Sequence, residues 1–216
     1  MKILKLRLFQ ETACYKKPFA FKVAETYPLP PYSTIIGMFH KIIGAKSGEY
    51  FSMNISVQGN YESIFSNYQN LRMFKGKKQV TAMPRNVHQL LNIKLLIHLK
   101  ADDEIVDKIY NNIIGGKETF TIGRNEDMVK IEEIKYVNDI VVEKGKINRY
   151  SAYVPKHICE EEMLEGINYR LNTTYTIKNE LRKWNKVDVK YVEKDENNLI
   201  EEIEKDEDGD IIFFYK

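Results

Sequence analysis

The chain has 216 residues, 43% of them hydrophobic and 30% charged, enough for a full core in one or two domains. Its formal net charge is +2, yet residues 193–210 hold ten acidic side chains against two lysines, a net of −8, which leaves the remainder at +10. No apolar run reaches bilayer length and the start, MKILKLRLFQ, alternates apolar with basic residues instead of forming a signal core, so the expectation is a cytoplasmic protein with Cys14 and Cys159 as reduced core residues.

Residues 3–9 (ILKLRLF) set Ile3, Leu6 and Leu8 against Lys5 and Arg7, the pattern of a half-buried strand. Residues 19–23 add a short second strand. The stretch YPLPPYSTIIGMFHKIIG (27–44) follows. Pro28, Pro30 and Pro31 stiffen the approach, and Ser33 is the expected N-cap. Ile35, Ile36, Phe39, Ile42 and Ile43 share one helical face, and Gly44 suits the left-handed end. Thr34, Gly37 and Lys41 lie opposite. An interior glycine costs about 1 kcal/mol against alanine. On an outer face it points to a close helix-packing contact, or to a ligand such as a phosphate drawn to the free amides of the first turn, with Lys41 beside it.

Residues 55–61 read as a strand interrupted by Gly59, and residues 93–99 as a central one. Asp102 is the expected cap of a second helix that buries Ile105, Val106, Ile109, Tyr110, Ile113 and Ile114 and ends at Gly115-Gly116. Residues 128–137 give a further strand. The order strand, helix, strand, insertion, strand, helix, strand is that of a split βαβ, or ferredoxin-like, fold of the α+β class.

The insertion, residues 62–91, is too long for an ordinary connection and predicts a hairpin or functional element. Lys75-Gly76-Lys77 reads as its turn. Arg72, Lys78 and Arg85 add charge, and Met73, Phe74 and Met83 add apolar bulk. Cations interleaved with flat or flexible apolar groups suit single-stranded nucleic acid; a solvated basic hairpin over a small satellite core fits the same residues. From residue 138 a β-rich second lobe is expected, with a hairpin turning at Lys144-Gly145, strands at 187–193 and 210–216, and a turn or short helix at 179–183. The acidic segment 193–210 reads as a solvated loop or broken helix.

No metal site or cofactor motif is evident, because the four histidines are scattered and no Walker or Rossmann glycine pattern occurs. His40 sits at the edge of an apolar face, as a packing histidine does. His88 lies near the base of the insertion and His98 in a core-like strand. Glu126-Asp127 beside Arg124 reads as a structural ion pair.

TYPLPPYSTIIGMF, MPRNVHQLLNIKLLIHLKA and FTIGRNEDMVKI, in this order and spacing, resemble CRISPR-associated protein family five in its type I-B-like branch, within the RAMP superfamily. The resemblance covers about residues 1–137 and implies a ferredoxin-like, RNA-recognition-type palm, a thumb hairpin at about 62–91 and a β-rich lobe at 138–216. It also implies a subunit of the Cascade complex that caps the repeat-derived 5′ handle of the CRISPR RNA. Its neighbours would be the backbone and large subunits, and target DNA would be met only through the complex. Tyr32, Ser33, Thr34, Gly37, Lys41, Arg72, Phe74, Lys75, Lys77, Lys78, Met83, Arg85, His88 and Arg124 would then meet RNA. No catalytic residue is expected. The alternative is the metal-independent endoribonuclease of another branch, for which Tyr32, His40, Lys41, Lys156 and His157 are the acid–base candidates.

Overall fold

In a computed structural model, residues 2–20, 23–46, 48–76, 79–116, 119–137 and 140–215 are described. Four long strands make the central part of the main sheet: β1 (Ile3–Ala13), β3 (Met53–Asn60), β5 (Gln79–Ala101) and β7 (Met128–Val137), with β2 (Val23–Ala24) a short addition. They lie in the order β3-β5-β1-β7, each pair antiparallel. Helix α1 (Tyr32–Ile42) links β1 to β3, and α2 (Asp103–Ile114) links β5 to β7. Both pack on one sheet face, where Leu4, Leu6, Leu8, Ile55, Val57, Ile97 and Leu99 join Ile35, Phe39, Val106 and Ile109 in a single core.

The second strand is shorter and later than residues 19–23 suggest; β2 pairs parallel with Asn86 and Val87 of β5, and Phe19 is exposed. Helix α1 starts two residues earlier than a Ser33 cap implies. Pro31, not Ser33, is its N-cap, and no side chain caps it. Asp102 occupies the N-cap of α2 but makes no side-chain cap bond, and Ile114 points outward, one residue past the buried stripe.

The insertion is β4 (Ser63–Lys75), paired along its whole length with the first half of β5, from Ser63↔Leu91 to Lys75↔Gln79. Lys77 and Lys78 lie outside the described residues. β5 is therefore one 23-residue strand running from the hairpin into the centre of the main sheet. Asn92, with φ 48°, marks the passage, and its amide donates to the Glu62 carboxylate at 2.6 Å. Asparagine is among the few residues that tolerate this left-handed backbone.

Beyond β3 the same sheet continues through β9 (Ser151–Pro155), β11 (Leu181–Val192) and β10 (Ile167–Lys178); at its other edge β6 (Phe120–Thr121) pairs β7. The short helix α3 (Lys156–Glu161) follows β9. A second sheet, β13 (Ile211–Ile212), β12 (Leu199–Asp206) and β8 (Ile140–Lys146), closes a smaller core around Ile147, Val154, Cys159, Val192, Ile203 and Phe213. Lys144-Gly145 is not a turn. Gly145 lies inside β8 opposite Ile200 of β12. The β10–β11 connection is a two-residue turn, Asn179-Glu180, with φ of 52° and 61°, the signature of a type I′ hairpin. Cys14 and Cys159 are buried and free.

β1 is not half-buried. Lys5 has no exposed surface, because the second sheet covers the face of the main sheet opposite the helices. Phe213 donates its backbone N–H to Ser56 Oγ at 3.0 Å, and the Gln58 amide donates to the Ile211 carbonyl. The acidic segment is a solvated loop only over residues 193–198; its later part is β12 and the turn Asp206–Asp210, which plugs this face.

Candidate nucleic-acid interface

β-strand alternation sorts the hairpin residues onto two faces. Register places Ile64, Tyr68, Arg72 and Phe74 on one face with Asn86 and His88; Gln69, Leu71, Met73, Met83 and Arg85 share the other. The first face carries the most exposed aromatics, Phe74 at 76% and Tyr68 at 68%, with exposed Arg72 between them. From Arg85 outward β5 pairs with β4 alone. Seven residues at about 3.4 Å each give a free projection of roughly 20 Å.

The second face is anchored at its base. Arg85 Nη2 donates to the Ala20 carbonyl at 3.2 Å, and Asn67 donates to Gln89 at 2.8 Å. Gln69 accepts from Arg124 Nη1 at 3.2 Å. Arg124 is itself clamped by buried Asp127, which takes its guanidinium at 2.7 Å and its backbone N–H at 2.8 Å. Asp127 also accepts the Cys14 N–H at 3.0 Å. Gly123 makes this possible: at φ 111° an added Cβ would stand 2.6 Å from Asp127 Oδ2. Arg85 and Arg124 thus brace the hairpin base, and Arg124 spends its charge on Asp127 and Glu126.

The α1 residues separate as well. Tyr32 is fully buried against Tyr215 and Tyr153, with ring centroids 4.4 and 6.0 Å away, so it belongs to the core and not to an RNA surface. Burial pushes its hydroxyl well above the ordinary tyrosine range. Thr34 is partly buried. Ser33, Gly37 and Lys41 line an open cleft of about 730 Å³ with the β10–β11 hairpin. Nothing lies within 4 Å of a Cβ built on Gly37, so no helix packs there. His40 is a packing histidine with both ring nitrogens engaged: Phe51 N–H donates to Nε2 at 3.0 Å, and Nδ1 lies 2.8 Å from the Ile36 carbonyl. An accepting Nε2 places the proton on Nδ1. His157 is exposed on α3.

Sequence reasoning missed the charge cluster between the two sheets. Among the described residues, Asp206, Asp208 and Asp210 form a group with cation-site spacing, their ligand atoms all within 4.8 Å. Lys5 Nζ sits 2.6, 2.6 and 2.5 Å from the three carboxylates, where a metal would otherwise be. Arg7 and Arg149 reach Asp210 at 2.5 Å, and Lys135 reaches Asp208 at 2.7 Å. His98 lies behind, with Nε2 3.0 Å from Asp206. Burial pushes His98 down despite that carboxylate. A neutral ring donating from Nε2 leaves Nδ1 a bare buried acceptor, consistent with its lack of a partner. The signal available in the sequence was the regular D-x-D-x-D spacing at 206–210 set against Lys5 and Arg7.

Among the described residues, no helix is long and apolar enough to cross a membrane. A profile described as CRISPR-associated protein (Cas_Cas5) matches residues 3–205. No curated protein matches. Among solved structures, a chain of a "CRISPR RNA-guided surveillance complex" is similar at TM-score 0.61 and 13% identity, over 92% of each chain. A "CRISPR protein from Archaeoglobus fulgidus" is similar at TM-score 0.48 and 14% identity, over 98% of each chain. The first likeness extends the agreement to the fold across nearly the whole length, C-terminal strands included, and with the profile match it identifies the chain as a member of the CRISPR-associated protein family Cas_Cas5.

Proposed function

We propose that this protein is an RNA-binding subunit of a Cascade-type CRISPR complex, in which it caps the repeat-derived 5′ handle of the CRISPR RNA and joins the backbone to the large subunit. On this reading the order β3-β5-β1-β7 with α1 and α2 is a ferredoxin-like palm, and β4–β5 is its thumb. The observation that carries the proposal is the hairpin. It projects beyond the sheet and presents Tyr68, Arg72, Phe74 and His88 on one face, aromatic groups for bases beside the Arg72 guanidinium for phosphate. Arg85 and Arg124, at the base of the other face, hold it in place.

The role is binding without cleavage. A sealed Tyr32 and a fully engaged His40 leave no acid–base pair on α1 poised to take and return a proton. Purification of the complex from its native host, with sequencing of the bound RNA, tests the reading. Bound RNAs sharing one 5′ segment are expected, and unrelated 5′ ends would sink it. The isolated chain is expected to leave repeat RNA intact without metal. Specific cleavage lost in His40→Ala or His157→Ala would establish the nuclease instead.

A further inference from the structure

The cleft between α1 and the outer end of β10–β11 has the composition of a nucleotide site. One wall is α1, with Gly37 leaving open space in its middle. The opposite wall is aromatic: Tyr175 and Trp184 meet edge to face, ring centroids 5.1 Å apart, and the Arg182 guanidinium lies 4.6 Å over the Tyr175 ring. Tyr50, half exposed and stacked on His40 at 5.5 Å, stands at the rim. Among the described lining residues three cations, Lys41, Lys46 and Arg182, face one carboxylate, Glu49, which is already occupied by the Lys46 backbone N–H at 2.8 Å.

The aromatic wall is a built feature. The β10–β11 register shifts between Asn172 and Tyr175. The irregularity is fixed by Thr173 Oγ1 donating to the Asn185 carbonyl at 3.2 Å and by the Asn185 amide donating to Thr174 Oγ1 at 2.9 Å. Bulges of this kind re-aim side chains at functional sites. The type I′ turn beyond it holds the hairpin arm tightly paired to its tip.

We propose that this cleft takes an unpaired nucleotide of the bound RNA, its base stacked against Tyr175 and Trp184 and its phosphate neutralised by Lys41, Lys46 and Arg182. The proposal rests on the RNA-binding reading above and adds a second contact, between α1 and the outer end of β10–β11. Charge decides for nucleic acid over an apolar peptide: an apolar side chain would need only the rings, and gains nothing from three cations at the rim. Gly37 has a purpose on this reading, because any larger side chain would project into the volume the base fills.

Trp184 is the single tryptophan of the chain, so its fluorescence reports the cleft directly. The full-length protein is titrated with an unstructured twelve-nucleotide RNA of mixed sequence, 5′-labelled, with tryptophan emission and label anisotropy read together. Binding with quenching of Trp184 is expected. Gly37→Leu, which projects bulk into the cleft from a position where an added Cβ meets nothing within 4 Å, and Tyr175→Ala, which removes one platform, are each expected to weaken binding about tenfold and to reduce the quenching. RNA binding by anisotropy with no quenching, and with unchanged affinity in both disruptive variants, overturns the cleft proposal while leaving RNA binding in place. No anisotropy change for the parent, alone or in its assembled complex, overturns both. Quenching of Trp184 by a co-purified subunit without RNA overturns the nucleotide in favour of a protein occupant.

Discussion

Lys5 carries a charge into the interior and meets three carboxylates there, with no exposed surface left. A buried charge loses its hydration, and only close opposite charges and hydrogen bonds compensate. Removing one member strands the others, so Lys5→Met is expected to lower unfolding free energy by about 3–5 kcal/mol, measured by urea denaturation. A loss below about 1 kcal/mol would mean that Arg7, Arg149 and Lys135 suffice. A gain is expected at Glu180, which holds φ 61° in the β10–β11 turn. Glycine adopts that backbone freely, so Glu180→Gly is expected to stabilise by about 1 kcal/mol, read as a higher melting temperature. An unchanged or lower value would mean that the Glu180 side chain contributes more than its backbone costs. Neither position was legible in the sequence. A lysine alternating with leucines reads as an outward face, and only a partner 203 residues away reverses it.

At the scale of elements, the hairpin was the most legible part. Its length and the Lys75-Gly76-Lys77 turn give the correct strand pair, because local turn chemistry and alternation suffice. The division of its residues between two faces requires the register, and register is set by pairing, not by composition. That division makes a measurable difference. If the exposed face meets RNA, Phe74→Ala and Tyr68→Ala are each expected to weaken RNA binding by about 1–3 kcal/mol with the salt slope unchanged. Arg72→Ala should reduce the slope of log K against log salt by roughly 0.7, the value for one phosphate on a single strand. Met83→Ala, on the opposite face, should do neither. A salt titration in the assembled complex decides the matter, and a loss confined to Met83→Ala would put RNA on the other side. Helix α1 shows the complementary case. Its apolar stripe was readable from spacing, whereas the emptiness beside Gly37 depends on where β10 and β11 lie.

For the whole molecule, the two sheets are joined through ionised groups, and pH reaches them from both sides. Burial alone would raise Asp206, but hydrogen bonds from His98 and Lys5 outweigh it and hold its carboxyl well below the usual range. Lys135 and Lys5 lower Asp208 likewise. Depressed carboxylates contribute stability that is present above their unfolded values, about pH 4, and lost as pH falls further. Burial would lower Lys5, but bonds to Asp206, Asp208 and Asp210 leave it raised. Its contribution is present below its unfolded value, about pH 10, and is lost as pH rises through the folded one. Melting temperature is therefore expected to hold between these limits and to fall on both sides, with a shallower acid limb in Lys5→Met. An identical acid limb would assign the loss to carboxylates elsewhere.

The Lys5 cluster also fixes an order of events during synthesis. β1 emerges first, yet its sheet neighbours come from residues 93–100 and 130–137, and the counter-charges for Lys5 only at 206–210. Until that turn leaves the ribosome, the palm can pair its strands but must keep one face wet and cationic. Contacts this distant in the chain slow folding and prolong exposure of unfinished sheet. The nascent protein thus passes through an interval in which Lys5, Arg7 and Lys135 are open to any polyanion nearby, cellular RNA included, and the arrival of the aspartates ends that interval.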